Sequence, residues 1–521
     1  MNSPILFLHQ NPFFRIVIAL IIGIIVGIYF NIIGISFFSF IIAIVLYTLK
    51  RFVFNKDEYK FRWMHGMAFV LVFVGIGNLV CILHKEAIQS VPEEQTFIAT
   101  IIETPTEKPR SVLITVDLQN KAINSYKSVL FLQKDSNALN LSEGDKIITH
   151  VRLKETDLSF FNNKGIYATA YVTSTQWYLM KINTKFSLKN KANKASKALL
   201  GVFKDFINPN NFGLISALTF GDTSSLNSEI KQDFAKSGSS HVLSVSGLHI
   251  GIIYIAFSFI FSFLGKNKIG TIFKHICIIL CIWIYAFLCG LPPSVVRSAA
   301  MLSLISGAYI FQKKSATYNA VFFSAFLMLL YEPMYLYDIG FQLSYCAVLS
   351  ILIFHKKIYK LIPLKNKILD NIWSLTSVSI AAQLGTFPIS LYYFHQFPTY
   401  FLLSNYIAIP CSTLLIYLSI CLFFTSFIPI ISGFIKTVIN YIAEYMQDGI
   451  SYICNFPYAS INIEIELWQV YAIFGLILST YMMLTKRRFC YVCSNLCIII
   501  IFLTNGIIVD LCKLFTTFAE V

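Results

Sequence analysis

Apolar and polar positions fall into two regimes along this chain. In the first, Ile, Leu, Val and Phe continue for about 20 residues with scarcely a charge, the length a helix needs to cross a bilayer. Residues 13–30, 32–49 and 64–83 are three such runs. A fourth begins near residue 241, and others follow at 272–290, 293–312, 316–331, 338–354, 372–394, 400–426, 430–452, 467–485 and 489–511. The pattern predicts a polytopic α-helical membrane protein with about 11–13 spans. Pro292-Pro293, Pro388 and Pro410 interrupt three of these runs, which reads as helices broken at membrane depth. A second run follows the first at once, with no small-residue cleavage site between them. A retained span is therefore expected there, not a leader.

The second regime covers about 90–178, where apolar residues alternate with polar ones. Residues 96–104, 111–118, 127–132, 146–153 and 166–175 read as five β-strands. Turn signals such as Glu143-Gly144-Asp145 and Asn162-Asn163-Lys164-Gly165 separate them. Five short strands in so few residues suit a small closed β-barrel, with an OB-like fold as the natural candidate. Residues 185–205 then carry six Lys and a single Asp, with Leu188, Ala192, Ala195, Leu199 and Phe203 at helical spacing. That is a basic amphipathic helix for the membrane surface, or an electropositive collar near a pore. The expected segments are N-terminal helices 1–84, the β domain 85–184, the interfacial helix 185–208, a membrane core 209–430 and C-terminal helices 431–521.

Charge adds orientation. The chain is 56% hydrophobic and 13% charged, its mean hydropathy is +0.67, and its formal net charge is +15. Lys and Arg gather in short loops, the positive-inside pattern. The loop 50–62 carries Lys50, Arg51, Lys56, Lys60 and Arg62 against Asp57 and Glu58, so it is expected in the cytoplasm. One span later, the β domain is expected on the extracytoplasmic side of the cell (inner) membrane. From 86 to 184 there are ten Lys/Arg and eleven Asp/Glu, so the domain itself offers no basic surface by composition. The twelve Cys sit mostly in apolar runs and read as small buried hydrophobes, the Cys490–Cys493 pair included.

The chemistry gathers at 216–254, where a polar segment runs into an apolar one. Asp222 follows a Gly, and a short helix is expected over 226–234. His241, Ser244, Ser246, Gly247 and His249 then lie inside or at the edge of a hydrophobic span. Polar groups at membrane depth cost several kcal/mol unless they line water or find partners. Further along, Arg297 sits one turn into an apolar helix, where a helix start favours phosphate, or else pairs with Asp222 or Asp338. Asp338 and Gln342 are four apart, so they are expected on one helix face. Gln383 lies among small residues, which suits close helix packing, a pore lining or an interhelical hydrogen bond. An intramembrane hydrolase built on Ser246, His249 and Asp222 is the weaker reading, because the Gly two before a nucleophile-elbow Ser is missing. A secondary transporter of a small anionic solute is a further alternative. No G-x-x-x-x-G-K-[S/T] run occurs, and no cofactor or metal site is expected.

These residues also carry a resemblance. Gly221-Asp222-Thr223, then Ser237-Gly238-Ser239-Ser240-His241-Val242-Leu243, then Ser246-Gly247-Leu248-His249-Ile250-Gly251 resemble the ComEC family, the membrane channel of bacterial natural transformation. Pro292-Pro293-Ser294-Val295-Val296-Arg297, Asp338-Ile339-Gly340-Phe341-Gln342-Leu343-Ser344 and Gln383-Leu384-Gly385-Thr386-Phe387-Pro388 are similar to later stretches of that family, in the same order. The resemblance covers roughly 10–430 and implies that 209–430 is a competence-type channel core passing single-stranded DNA into the cytoplasm. It implies the OB fold, a periplasmic DNA receptor and a cytoplasmic DNA motor or strand-binding protein as partners, and membrane lipids around the spans. Many members carry a metallo-β-lactamase-like domain after the membrane part. None of the nine His here has the H-x-H-x-D-H spacing, so a form without that domain is expected, with any nuclease acting in trans.

Overall fold

A computed structural model describes residues 11–53, 61–85, 95–102, 105–107, 111–120, 123–141, 144–155, 166, 168–180, 188–204, 208–265, 267–310, 317–486 and 490–499. Residues 54–60 of the basic loop, the turn signal at 162–165 and the end of the last apolar run, 500–511, lie outside these residues. Among the described residues, eight helices are long and apolar enough to cross a membrane. The chain is a multi-pass membrane protein. It divides into two compact units, Met1–Asn227 with Leu243–Phe341 and Ser412–Ala443, and Ser228–Val242 with Gln342–Cys411 and Glu444–Val521.

The first unit begins with helices α1 (Pro12–Phe30), α2 (Ile33–Thr48) and α3 (Arg62–Lys85). Glycines set the approach of α1 to α3. A methyl group on Gly23 would collide with the Val74 backbone, and one on Gly77 with the Leu20 backbone. Such small residues are what let apolar helices pack in lipid. Asn78 Nδ2 donates to Ser36 Oγ (2.7 Å) and Ser39 Oγ to the Leu71 carbonyl (2.6 Å), which joins α2 to α3 by polar contacts.

An eight-stranded sheet follows: β1 (Gln95–Ile101), β2 (Thr106–Glu107), β3 (Ser111–Asn120), β4 (Ile123–Gln133), β5 (Lys146–Val151), β6 (Lys154–Glu155), β7 (Ala168–Val172) and β8 (Trp177–Met180). The order is β6-β7-β4-β3-β1-β5-β8, with β2 on β3. Only β4 and β7 run parallel among these pairs. The period-two pattern fixes the register: Phe97, Ala99 and Ile101 on β1 and Val112, Ile114, Val116 and Leu118 on β3 all enter one core. Each of the five sequence-predicted strands lies on an observed one. The sequence reading missed β8, whose Trp177 closes the core, and the two-residue strands β2 and β6.

The basic helix α4 (Leu188–Lys204) is present, but its inward face is Ala192, Ser196, Leu200 and Phe203, while Ala195 faces outward. Phe203 meets Phe423 edge to face. Then come α5 (Pro209–Phe220), α6 (Ser228–Lys236), α7 (Gly247–Ile260), α8 (Lys268–Leu288), α9 (Pro293–Ile310), α10 (Thr317–Tyr331) and α11 (Ile339–Ser350). The remaining elements are α12 (Lys367–Phe394), β9 (Gln396–Pro398), α13 (Phe401–Thr425), α14 (Pro429–Cys454), β10 (Ser460–Asn462) and α15 (Leu467–Lys486).

One expectation is corrected here. Pro388 and Pro410 lie inside continuous helices of 28 and 25 residues, and Pro293 opens α9 at its first turn. A first-turn Pro has no hydrogen bond to lose, and the missing bond inside a membrane helix can be made good locally. The chain breaks elsewhere, at 244–246, between the helical turn Ser240–Leu243 and α7.

In the second unit, α11 and α12 touch at Gly385. A Cβ there would lie 2.5 Å from Ser350 Cβ and 2.6 Å from the Cys346 carbonyl oxygen. Ser350 Oγ donates to the Ala381 carbonyl at 2.6 Å across the same contact. The small residues around Gln383 therefore do serve close packing.

Candidate functional site

The motif folds as a succession of caps. Helix α5 ends at Gly221, whose φ of +76° is cheap only for Gly, and the Asp222 N–H bonds back to the Ser216 carbonyl at 3.3 Å. Asp222 Oδ1 then accepts the Ser224 N–H (3.0 Å) and hydroxyl (2.6 Å), closing a turn on its own loop. A Cβ on Gly221 would sit 3.2 Å from Val245, so this loop lies beside the break at 244–246.

Ser246 caps α7. Its backbone N–H donates to His249 Nδ1 at 3.2 Å, and its Oγ lies 3.1 Å from the same nitrogen. This is a capping box in which His takes the place usually held by Glu or Gln three residues after the Ser. Because Nδ1 accepts a backbone N–H, the ring proton belongs on Nε2. His249 is fully buried. Helix capping supplies the reason for the Ser246–His249 contact.

Helix α9 starts against this break. Ser294 Oγ donates to the Val245 carbonyl at 2.9 Å, and a Cβ on Gly247 would fall 2.8 Å from Ser298 Oγ. Ser294 and Ser298 share one face of α9 at i, i+4, and Arg297 lies three residues after Ser294. It is 1% exposed, its Nη2 donates to the Gly340 carbonyl at 2.9 Å, and its guanidinium lies 5.8 Å from the Phe341 ring centre. Gly340 and Phe341 belong to the first turn of α11, and Asp338 caps that turn by accepting the Phe341 N–H at 2.7 Å. The starts of α7, α9 and α11 thus meet around Arg297, each bringing the positive end of a helix dipole.

Ser246, Gly247, His249, Arg297 and Asp338 are brought together, with Asp222 on the adjoining loop. Asp338 stands before α11 as its cap, so it does not share a helix face with Gln342, which is inside the helix. Ser244 is exposed in the break. His241, Gln342 and Gln383 belong to the second unit. His241 and His249 are not on one continuous helix, because the break separates them. Sequence reasoning missed Ser294 and Ser298, whose own i, i+4 spacing on α9 could have revealed them.

In the second unit, Gly238 (φ +82°) lets the chain turn tightly against its neighbours, and a Cβ there would be 2.7 Å from Pro398 and 3.1 Å from Phe401 Cβ. His241 Nδ1 donates to the Gly238 carbonyl at 3.2 Å. Its ring is reachable from outside but recessed, with protein on most sides. That desolvation lowers its pKa below the usual value, and the hydrogen bond to Gly238 opposes the shift. Among the described residues, no three His, Cys, Asp or Glu side chains are grouped to hold a metal ion.

The family model described as competence protein matches residues 218–488, which takes in the whole of this constellation. The chain belongs to that family. Among similar competence-family proteins, ComE operon protein 3 of Bacillus subtilis is 30% identical over 227 residues, covering 44% of this chain and 28% of that protein. Recombination protein 2 of Haemophilus influenzae is 24% identical over 399 residues, covering 73% of this chain and 48% of that one. The chain thus spans about half or less of the length of these two curated relatives. No solved structure matches.

Proposed function

We propose that this competence-family protein is an inner-membrane channel that passes one strand of incoming DNA into the cytoplasm during natural transformation. The observation that carries the reading is the meeting of three helix starts around buried Arg297, on the motifs that place the chain in its family. Helix starts and a guanidinium make an electropositive point at membrane depth, and a phosphate backbone is the polyanion such a point attracts. Arg297 acts there through its field and by holding the first turn of α11, without touching the strand itself. Ser246, Gly247, His249 and Asp338 fix the helix starts, and Asp222 and Ser244 add to the polar lining beside them. About 11–13 crossings surround this path.

The β sheet acts as an OB-like extracytoplasmic barrel that docks a periplasmic DNA receptor. A cytoplasmic motor or strand-binding protein draws the strand in, and a nuclease in trans degrades its complement. The chain itself performs no hydrolysis and needs no cofactor. An anion transporter is the alternative reading, which broken helices and Arg297 would serve equally well; the helices at Pro388 and Pro410 are continuous, which removes part of its support.

The test is transformation frequency measured beside membrane abundance. Arg297→Gln removes the charge at similar length and should lower uptake at least tenfold at normal abundance, with Arg297→Lys retaining more. Unchanged transformation with Arg297→Gln would overturn the reading.

A further inference from the structure

Helix α3 is the last helix before the β sheet, and its final turn reaches the approach to α11. His84, next to the end of α3, places Nε2 2.8 Å from Glu332 Oε1. A ring nitrogen facing a carboxylate oxygen at this distance carries a proton, so the bond forms whether the imidazole is neutral or charged. Glu332 stands between α10 and the 3₁₀ turn Pro333–Tyr337. The same Oε1 accepts the Met334 N–H at 3.3 Å and so caps that turn. One oxygen therefore joins the end of α3 to the root of the turn, against which α3 packs.

The turn leads straight to the Arg297 cluster. The Tyr335 N–H returns to the Glu332 carbonyl at 3.2 Å, and the Asp338 N–H to the Tyr335 carbonyl at 3.0 Å. The Tyr335 ring lies nearly parallel to the Phe341 ring, at 16° with centroids 6.5 Å apart. Phe341 is the ring beside the Arg297 guanidinium, and Gly340 supplies the carbonyl that Arg297 holds. From His84 to Arg297 the contacts run through one short segment, 332–341, and all of it belongs to the first unit.

We propose that His84 is a positioning residue for this cluster, acting through Glu332 to hold 332–341 where Gly340 and Phe341 meet Arg297. Its effect on uptake rests on the reading of the chain as a DNA-strand channel; its effect on the segment does not. A half-exposed ion pair contributes little by strength alone. This one acts by location, because Glu332 roots the segment at one end while Asp338 caps α11 at the other. A bond that merely fastened α3 to its neighbours would weaken the protein without reference to Arg297.

Two measurements separate these cases. Hydrogen–deuterium exchange on the full chain in lipid nanodiscs follows the Met334, Tyr335, Asp338 and Phe341 amides, each hydrogen-bonded in the parent. His84→Ala should speed their exchange about fivefold and leave the Ser246–His249 turn unchanged. His84→Gln, which keeps a side-chain N–H donor, should restore most of the protection. Transformation frequency per membrane-embedded molecule should fall with Ala by a similar factor and recover with Gln. In an Arg297→Gln background, His84→Ala should cause no further fall, because the segment then has no guanidinium to meet. If His84→Ala does not accumulate in the membrane, His84→Leu removes the donor while keeping the bulk and takes its place. Unchanged exchange at 334–341, unchanged transformation, or an equal further fall in the Arg297→Gln background each overturns the positioning role and leaves the channel reading standing. If Arg297→Gln alone transforms normally, the channel reading falls, and the exchange rates alone decide whether His84 holds the segment.

Discussion

His249→Ala separates a helix-capping role from a chemical one. In the folded protein His249 Nδ1 accepts the Ser246 N–H at 3.2 Å, and the ring is fully buried. Ala removes that acceptor and leaves a part-buried N–H unpaired, a loss of about 1–3 kcal/mol. Deleting the ring from a packed site adds a cavity cost of about 1 kcal/mol or more. The expected destabilisation is about 2–4 kcal/mol, which should lower the melting temperature by several degrees. His249→Gln restores an acceptor of the kind that capping boxes use at this position, so it should recover most of that loss. Melting in detergent, followed by the fluorescence of a fused reporter on size exclusion, measures stability; transformation frequency per membrane-embedded molecule measures function. If capping is the role, the two readouts move together and Gln rescues both. A Gln variant that melts like the parent yet transforms no better than Ala would refute this account, because the imidazole would then be needed for its own chemistry. An Ala variant with an unchanged melt would refute it too.

Gly385→Ala should cost about 1–3 kcal/mol, since the new Cβ meets Ser350 Cβ at 2.5 Å and the Cys346 carbonyl at 2.6 Å; the same melting assay should show it, and a neutral result would mean that α11 and α12 separate easily. His241 has a lowered pKa, so the folded state resists the proton that the unfolded state accepts near its ordinary value. Its contribution is complete above that value and is lost as pH falls through the lowered one. His241→Asn should therefore flatten part of the fall in melting temperature between neutral and mildly acidic pH, and parallel curves would contradict this. A reporter active only in the cytoplasm, fused after Asn140, should stay silent, whereas a strong signal would reverse the predicted orientation.

The long-range pattern of the chain was legible because it follows from periodicity. Apolar runs gave the helices, and strict alternation at Phe97, Ala99 and Ile101 gave the strands. Two things were not legible. A Pro in an apolar run looks the same whether it breaks a helix or is absorbed by it. Pro388 lies within a continuous 28-residue helix that α11 contacts closely at Gly385, one turn earlier. The rotation of α4 was equally hidden, since Ala192 and Phe203 lie on the inward face under either choice and only the burial of Ser196 and Leu200 in the fold separates the two.

The site shows why cost alone is an incomplete guide to function. From sequence, each polar residue in the motif looked expensive and therefore dedicated to the translocated strand. In the fold, Asp222 spends its carboxylate on Ser224, His249 its Nδ1 on Ser246, Asp338 its carboxylate on Phe341, and Arg297 one guanidinium nitrogen on Gly340. Two of these, at His249 and Asp338, satisfy N–H groups at the start of a helix. A helix that begins beside apolar surface exposes N–H groups that water cannot reach, so the chain must supply acceptors itself. Arg297 does the opposite: it is a donor that ties the start of α9 to the first turn of α11. Much of the motif's polarity therefore goes into building and joining helix starts, and that is why the motif stands out in the sequence.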